Sequence, residues 1–274
     1  MTPIFRGDNS HLRQGLNMRY REEGEYLQKG IRDMENQLMT NTVTQVSILD
    51  ALLASRFDGC LPCRELLKHG DFGIGTFDRM DGEMIIVDGG LYQGKTDGKI
   101  HTPDPDISTP FATICHFHPD LTWSIREPVN IDAVKKMIDE KASKQNLFHA
   151  VRVEGLFSYM KTQVLPLQSK PYRPVAEVVK SCPHFEAKNV SGTIVGFRSP
   201  PYVRGIGDPG YHLHFLSEDK TQGGHVLTFD MERGECSVDI LSNHLVILPE
   251  EGAALADVDL SRDLVKEFEE SLEK

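Results

Sequence analysis

The 274-residue sequence lacks any long apolar run and any basic run longer than a short pair. Without an apolar run, neither a signal peptide nor a membrane-spanning helix is expected. Acidic residues outnumber basic ones by 41 to 30, which gives a net charge of −11. Such a chain repels nucleic acid and anionic lipid, so we expect no nucleic acid and no membrane as partner. We predict a cytoplasmic protein.

Cysteine is also scarce, with five scattered residues. An odd, scattered set is typical of reduced thiols and argues against a disulfide framework. Cys60 and Cys63 form a C-x-x-C motif, which occurs in redox pairs and in zinc knuckles. No second pair follows at knuckle spacing, so the pattern favours a structural interpretation.

Helical periodicity occurs mainly near the two ends of the chain. Leu27, Ile31, Met34 and Leu38 predict an N-terminal helix, either docked on the domain or paired with another subunit. A second predicted helix begins after Ser47, a third ends at Gly70, and a fourth begins at the cap residue Asn130. Ser261 is the candidate cap of a C-terminal helix.

The central sequence is typical of β structure. From Gly70, short apolar runs separated by Gly and Asp predict an antiparallel meander. Glu83 follows Asp81-Gly82 at the start of one very apolar strand. A glutamate at that position is either a solvated rim residue or a carboxylate at the mouth of a cleft.

A histidine hairpin is the most informative segment. His212 and His214 alternate with Leu213, so on a strand both imidazoles point to the same face. The polar stretch SEDKTQGG predicts a turn, and His225 begins an apolar return strand. Three neutral imidazoles with an open position are the ligand set of a catalytic zinc. The alternative is a set of strand histidines bonded only to their neighbours.

Two further patterns compete with this hairpin. His116 and His118 form a second H-x-H, but Pro119 ends that strand and no third histidine returns to it. His212, His214 and Glu218 also fit the cupin spacing H-x-H-x3-E. A cupin needs a further histidine far downstream beyond a Pro-containing turn, and the segment HLVILP offers none.

Four sequence blocks together resemble the α-acetolactate decarboxylase family, in the family's order and spacing. They are LLKHGDFGIGTFDRMDGEMIIVDGGLYQ, KPYRPVAEVVK, GTIVGFRSP and PGYHLHFLSEDKTQGGHVL. The resemblance covers about residues 43–274 and leaves residues 1–42 as an N-terminal extension without a family counterpart. It implies an α/β (α+β) fold, with a mixed sheet, a barrel-like β body and flanking helices, in a homodimer.

The resemblance also implies an activity and a set of site residues. The activity is decarboxylation of 2-acetolactate, a 2-hydroxy-3-oxo acid, to acetoin and CO2, with Zn²⁺ on His212, His214 and His225. The small-molecule keto acid would be the partner of the site. Glu83 corresponds to the family's glutamate in the motif D-G-E-M. A second family glutamate lies near the C-terminus, where Glu273 is the first candidate and Glu270 the second.

One residue departs from the family pattern. Where the family has an arginine in the stretch K-x-R-[TS]-V-P, this chain has Gln163. Glutamine is uncharged and cannot form a bidentate ionic contact with a carboxylate. Lys161 and Arg204 are candidates to compensate. The alternative functions are a lyase, isomerase or cyclase acting on another keto acid, and a noncatalytic protein that uses its N-terminal helix as a contact surface.

Overall fold

The structure is a computed structural model that describes residues 40–249, 255 and 258–272. The predicted N-terminal helix and the candidate Glu273 lie outside these residues. Within the described ranges, no helix is long and apolar enough to cross a bilayer.

Strands dominate the described chain. The strands are β1 (Thr42–Val46), β2 (Leu61–Pro62), β3 (Phe72–Thr76), β4 (Glu83–Val87), β5 (Gly90–Gly94), β6 (Ile100–His101), β7 (Ser108–Thr109), β8 (Ala112–Cys115), β9 (Leu121–Ile125), β10 (Val129–Asn130), β11 (Phe148–Gln163), β12 (His184–Ser199), β13 (Gly210–Ser217), β14 (Gly223–Leu241) and β15 (Asn243–Ile247). The α-helices are α1 (Leu49–Leu53), α2 (Cys63–Leu66), α3 (Ile131–Lys141), α4 (Val175–Lys180) and α5 (Leu264–Leu272). Short 3-10 turns cover Leu67–His69, Asp78–Met80 and Pro201–Val203.

A seven-stranded mixed sheet has the order β15-β1-β8-β3-β4-β5-β6. Strands β3 to β6 are joined as consecutive antiparallel neighbours, which confirms the predicted meander. The parallel pair in this sheet is β1 with β15. Both faces of β3 and β4 are buried because the second sheet covers one face and α2 covers the other. This explains their nearly continuous apolar sequence.

The second sheet closes into a ring. Strand β11 pairs with β12 and β14, β12 pairs with β13, and β13 pairs again with β14. Gly155 in β11 lies opposite Gly192 and Gly234 on its two neighbours. A Cβ at Gly155 would come within 2.2 Å of the Arg233 carbonyl oxygen, so the strands approach each other here as only glycine permits. The ring confirms the predicted barrel-like body.

Helix ends follow the sequence in part. The Asn130 side chain accepts a hydrogen bond from the Ala133 backbone N–H at 2.9 Å, which confirms it as the cap of α3. Ser47 does not cap α1, because its φ is 63° and its backbone N–H donates to the Ile247 carbonyl, continuing the β1 pairing. Asp263, two residues beyond Ser261, caps α5 by accepting from the Lys266 N–H at 3.0 Å.

Three helices of the described chain share one buried cluster. Helices α1, α4 and α5 pack around a buried cluster formed by Phe57, Met80, Val175 and Val178. Phe268 of α5 packs on this cluster from outside. The helices therefore cover the region where the ends of β4, β11 and the histidine hairpin meet.

Candidate metal centre and cavity

Three histidines converge on one point, as the hairpin pattern predicts. His214 on β13 lies directly opposite His225 on β14, and His212 lies two residues earlier on the same face of β13. The ring centroids are 4.9 to 5.5 Å apart. One ring nitrogen from each residue lies within 4.8 Å of the others. In the part of the chain that the structure describes, this is the one group of three metal-ligating side chains.

Neighbouring groups orient two of the rings. His214 Nδ1 lies 2.8 Å from the carbonyl oxygen of Met84. Because a carbonyl only accepts, Nδ1 carries the proton, and the Nε2 lone pair faces His212 Nε2 at 3.3 Å. His212 Nδ1 lies 3.4 Å from a carboxylate oxygen of Asp208. A carbonyl or carboxylate behind each imidazole is typical of histidines that bind metal.

Burial keeps the three imidazoles neutral. It lowers the pKa of His212 to about 4 and that of His225 to about 3, where the neighbouring His212 adds to the effect. Burial and the two neighbouring rings also hold the pKa of His214 well below its usual value. A neutral imidazole is the form that ligates a metal. The donor set therefore fits a mononuclear zinc site with a position open to substrate.

Glu83 resolves the choice left open by its sequence context. It is 3% exposed, so it is a buried carboxyl and not a solvated rim residue. Its Oε1 accepts a hydrogen bond from the Leu165 N–H at 2.9 Å, and its Oε2 lies 3.4 Å from His214 Nε2. Burial raises the pKa of Glu83 to about 8, against the opposing effect of the Leu165 bond. The carboxyl can therefore hold a proton near neutral pH.

A cavity of about 390 Å³ joins these groups. Its wall includes Glu83, His212 and His225. Apolar side chains supply much of the rest, among them Leu49, Met80, Phe111, Leu165, Val179 and Phe268. A cavity of this size, with a few polar groups on an apolar wall, is suited to a small molecule.

Gln163 lies in the wall of the same cavity. It is the last residue of β11 and pairs across the sheet with His225. The residue that departs from the family pattern is therefore placed where it can contact a bound molecule. Lys161 is not among the residues that line the cavity, whereas Arg204 is.

The C-terminal helix contributes an acid that the sequence prediction did not select. Glu269 of α5 lines the cavity and accepts hydrogen bonds from Arg204 at 3.0 and 3.3 Å. Glu270 instead lies near Lys266 on the outer surface. Helical spacing could have indicated Glu269, because it follows the inward-facing Val265 by four residues. Glu273 stays a prediction, since it lies outside the described residues.

The competing sequence motifs lie elsewhere. His116 and His118 do not line the cavity, and His118 is fixed through its backbone N–H, which donates to Asp239 at 2.8 Å. Cys60 and Cys63 are free thiols, as expected, and burial raises the pKa of Cys63 to about 12. A thiol with such a pKa is a poor nucleophile and metal ligand at neutral pH.

Fold and site together define an α+β protein with a mixed sheet, a closed ring of long strands and a candidate metal centre at the cavity between them. The family model for alpha-acetolactate decarboxylase matches residues 43–262. The alpha-acetolactate decarboxylase of Methanosarcina mazei is 44% identical over 268 residues, which are 98% of this chain and 88% of that protein. The Bacillus subtilis strain 168 enzyme of the same name is 41% identical over 198 residues, which are 72% of this chain and 77% of that protein.

A solved structure agrees with these relatives. The crystal structure of the alpha-acetolactate decarboxylase from B. subtilis strain 168 superposes with a TM-score of 0.81 at 37% identity, covering 85% of this chain and 99% of that one. The chain therefore belongs to the alpha-acetolactate decarboxylase family and is a carboxy-lyase of this type. The match to the M. mazei protein covers all but about six residues of this chain. The M. mazei protein therefore also has a counterpart for much of residues 1–42.

Proposed function

We propose that this protein decarboxylates 2-acetolactate to acetoin and CO2 with the help of a zinc ion held by His212, His214 and His225. The observation that carries the proposal is the convergence of three neutral imidazoles and a buried glutamic acid on one small cavity in a chain of this family. The three imidazoles would hold the ion, and a bound zinc would supply Lewis-acid stabilisation of the negative charge left by departing CO2.

The reaction consumes one proton. The bond between the carboxylate carbon and C2 breaks, its electron pair stays with the hydroxyketone fragment, and C2 must then be protonated to give acetoin. We assign this protonation to Glu83, whose buried carboxyl can hold a proton and faces the histidine cluster. The Leu165 N–H holds Oε1 in place, which leaves Oε2 beside His214 Nε2 at 3.4 Å.

The apolar wall and α5 have a separate role in this proposal. Phe268 and Leu165 exclude water from the reacting carbon, and water exclusion strengthens the electrostatic contacts inside the cavity. In the described part of the C-terminal segment, Glu269 is the carboxylate that we place in the cavity wall, on the side of Arg204. Gln163 offers the substrate a neutral amide and orients it by hydrogen bonding alone.

The test is release of CO2 and acetoin from racemic acetolactate by protein whose zinc content has been assayed. The Gln163→Arg variant is measured in parallel. Turnover by the zinc-loaded wild-type protein supports the proposal. Absence of turnover in zinc-loaded protein contradicts it.

A second function follows from the same departure at Gln163. The fold and metal would then serve a lyase, isomerase or cyclase reaction on a different keto acid. If the wild-type protein shows no acetolactate turnover and Gln163→Arg increases turnover strongly, the result favours a decarboxylase impaired at one contact. If neither the wild-type protein nor Gln163→Arg turns over acetolactate, the result favours a different keto acid as substrate.

We further propose a homodimer in the cytoplasm, as the family resemblance and the sequence composition imply. Light scattering on the purified chain tests the assembly. A mass of one chain, close to 30.8 kDa, would contradict it.

A further inference from the structure

Arg204 is the one lysine or arginine in the wall of the histidine cavity, within the part of the chain that the structure describes. It lies between β12 and β13, just after the 3-10 turn Pro201–Val203 and eight residues before His212. Its side chain is 42% exposed, so the guanidinium sits where the cavity meets solvent.

The backbone that carries Arg204 is firmly held. The Asp50 N–H donates to the Gly205 carbonyl at 2.9 Å, and the Leu49 N–H donates to the Ile206 carbonyl at 2.8 Å. The Gln45 side chain donates to the same Ile206 carbonyl at 2.6 Å. Gly205 has a φ of 83°, and a Cβ there would lie 2.7 Å from an Asp50 carboxylate oxygen. Arg204 is therefore presented from a fixed loop, which lowers the entropy lost when it binds a ligand.

Two acids hold the guanidinium in the free protein. Its two terminal nitrogens donate to Glu269 at 3.3 and 3.0 Å, and one of them lies 3.6 Å from Asp263. These contacts with Glu269 use two of the five N–H donors of the guanidinium. The remaining donors and the planar shape suit a further carboxylate.

We propose that Arg204 binds the carboxylate of the substrate and so provides the positive charge that Gln163 does not. The inference rests on the proposed function, because it takes the substrate to be a small 2-hydroxy acid anion. The other polar groups of the wall named above are two imidazoles, a glutamine and acids. An anion entering this cavity therefore has Arg204 as its one permanently positive partner among the described lining residues.

A purely structural role is the competing explanation, since both acids that contact Arg204 belong to α5 or its cap. Arg204 could serve only to attach this helix. Arg262 provides a matched control, because it pairs with Glu267 of the same helix and does not line the histidine cavity. Losing either arginine removes an ion pair from α5, but only Arg204 can act on a carboxylate in the cavity.

The experiment compares two unreactive ligands by calorimetry on zinc-loaded protein: 2-hydroxy-2-methylbutanoate and its neutral amide. For Arg204→Gln we expect carboxylate binding to weaken roughly tenfold or more, with amide binding within about twofold. Arg204→Lys should fall between the wild type and Arg204→Gln. Arg262→Gln should leave the binding of both ligands unchanged. Asp263→Asn keeps the oxygen that caps α5 but removes a competing charge, so the carboxylate should bind more tightly while the amide does not.

Equal effects of Arg204→Gln on both ligands, or no effect on the carboxylate, would overturn the inference. If Arg204→Gln does not fold, Arg204→Lys and Asp263→Asn decide by the same carboxylate-to-amide ratio. The carboxylate-to-amide ratio is a binding measurement and does not depend on turnover. If the protein makes no acetoin but shows the expected ratios, the proposed function is refuted and the role of Arg204 stands. If the wild-type protein turns over acetolactate but the Arg204 variants keep the wild-type ratio, the role of Arg204 is refuted and the proposed function stands.

Discussion

His214 and His225 face each other directly across the β13–β14 pairing, with ring centroids 5.5 Å apart. Their strands are joined by a short polar turn, so the two rings are brought together by hairpin register and not by distant packing. His212 completes the group because it lies on the same face of β13. One hairpin thus carries the whole candidate ligand set, and the rest of the fold supplies the carboxyl and the walls.

The first prediction concerns the metal. His212→Ala and His225→Ala should each lose most of the zinc that the wild-type protein retains after dialysis, because two imidazoles do not hold the ion tightly. Zinc should also raise the melting temperature of the wild type and not of these variants. Elemental analysis and thermal unfolding provide the measurements.

His118→Ala is the matched control for metal loss. It removes a histidine from the other H-x-H motif, outside the cavity, and should retain full zinc content. Equal metal loss in His118→Ala and His212→Ala would contradict the assignment of the ligands.

The second prediction concerns Glu83. Glu83→Gln keeps the size of the side chain and an acceptor for the Leu165 N–H but cannot deliver a proton. We expect acetoin formation to fall by about 100-fold or more while zinc content is unchanged. Glu140→Gln, at an exposed position of α3, should leave the rate unaltered. A Glu83→Gln variant with wild-type turnover would remove Glu83 from the mechanism.

The third prediction concerns the glycine row in the ring. Gly155→Ala places a methyl group within 2.2 Å of the Arg233 carbonyl and should lower the free energy of unfolding by about 1–3 kcal/mol. Gly94→Ala is the comparison, since the nearest atom there is 3.4 Å away. Urea unfolding measures both variants, and equal stabilities would show that the strands at Gly155 have room to separate.

The fourth prediction concerns pH and Asp239, a buried carboxyl on β14 that accepts from the His118 N–H. Burial, with Asp120 and Asp71 nearby, raises its pKa to about 7, against an ordinary value of 3.8. Between about pH 4 and pH 7 the folded protein therefore keeps a proton that the unfolded chain releases. The free energy of unfolding should fall as pH rises through this range.

Asp239→Asn imitates the neutral acid and should not show this loss. Its stability relative to the wild type should increase between pH 4 and pH 8, by about 1–3 kcal/mol after allowance for solvent screening. Urea unfolding at several pH values gives the comparison, with Glu140→Gln as the control. A constant difference between variant and wild type across this range would mean that Asp239 titrates normally in the fold.

Much of the fold could be predicted because the signals are local. Alternating histidines on a strand, glycine-separated apolar runs and the Asn130 cap depend on residues within a few positions of each other. The turn was predicted slightly too long, since Gly223 and Gly224 already belong to β14 and pair with Leu216 and Phe215. A Cβ at Gly223 would lie 2.4 Å from the Phe215 carbonyl, so this glycine permits close strand pairing as well as turning.

The sequence by itself determined the three histidines and the strand positions that bring their rings together, because a hairpin fixes these through neighbouring residues. Only the tertiary structure decided what surrounds them. Glu83 meets Leu165 across 82 positions, and Arg204 meets Glu269 across 65. Such contacts depend on how the seven-stranded sheet, the ring and α5 pack together. Burial in that packing sets the pKa of Glu83 and brings Arg204 to the cavity, and no local pattern encodes it.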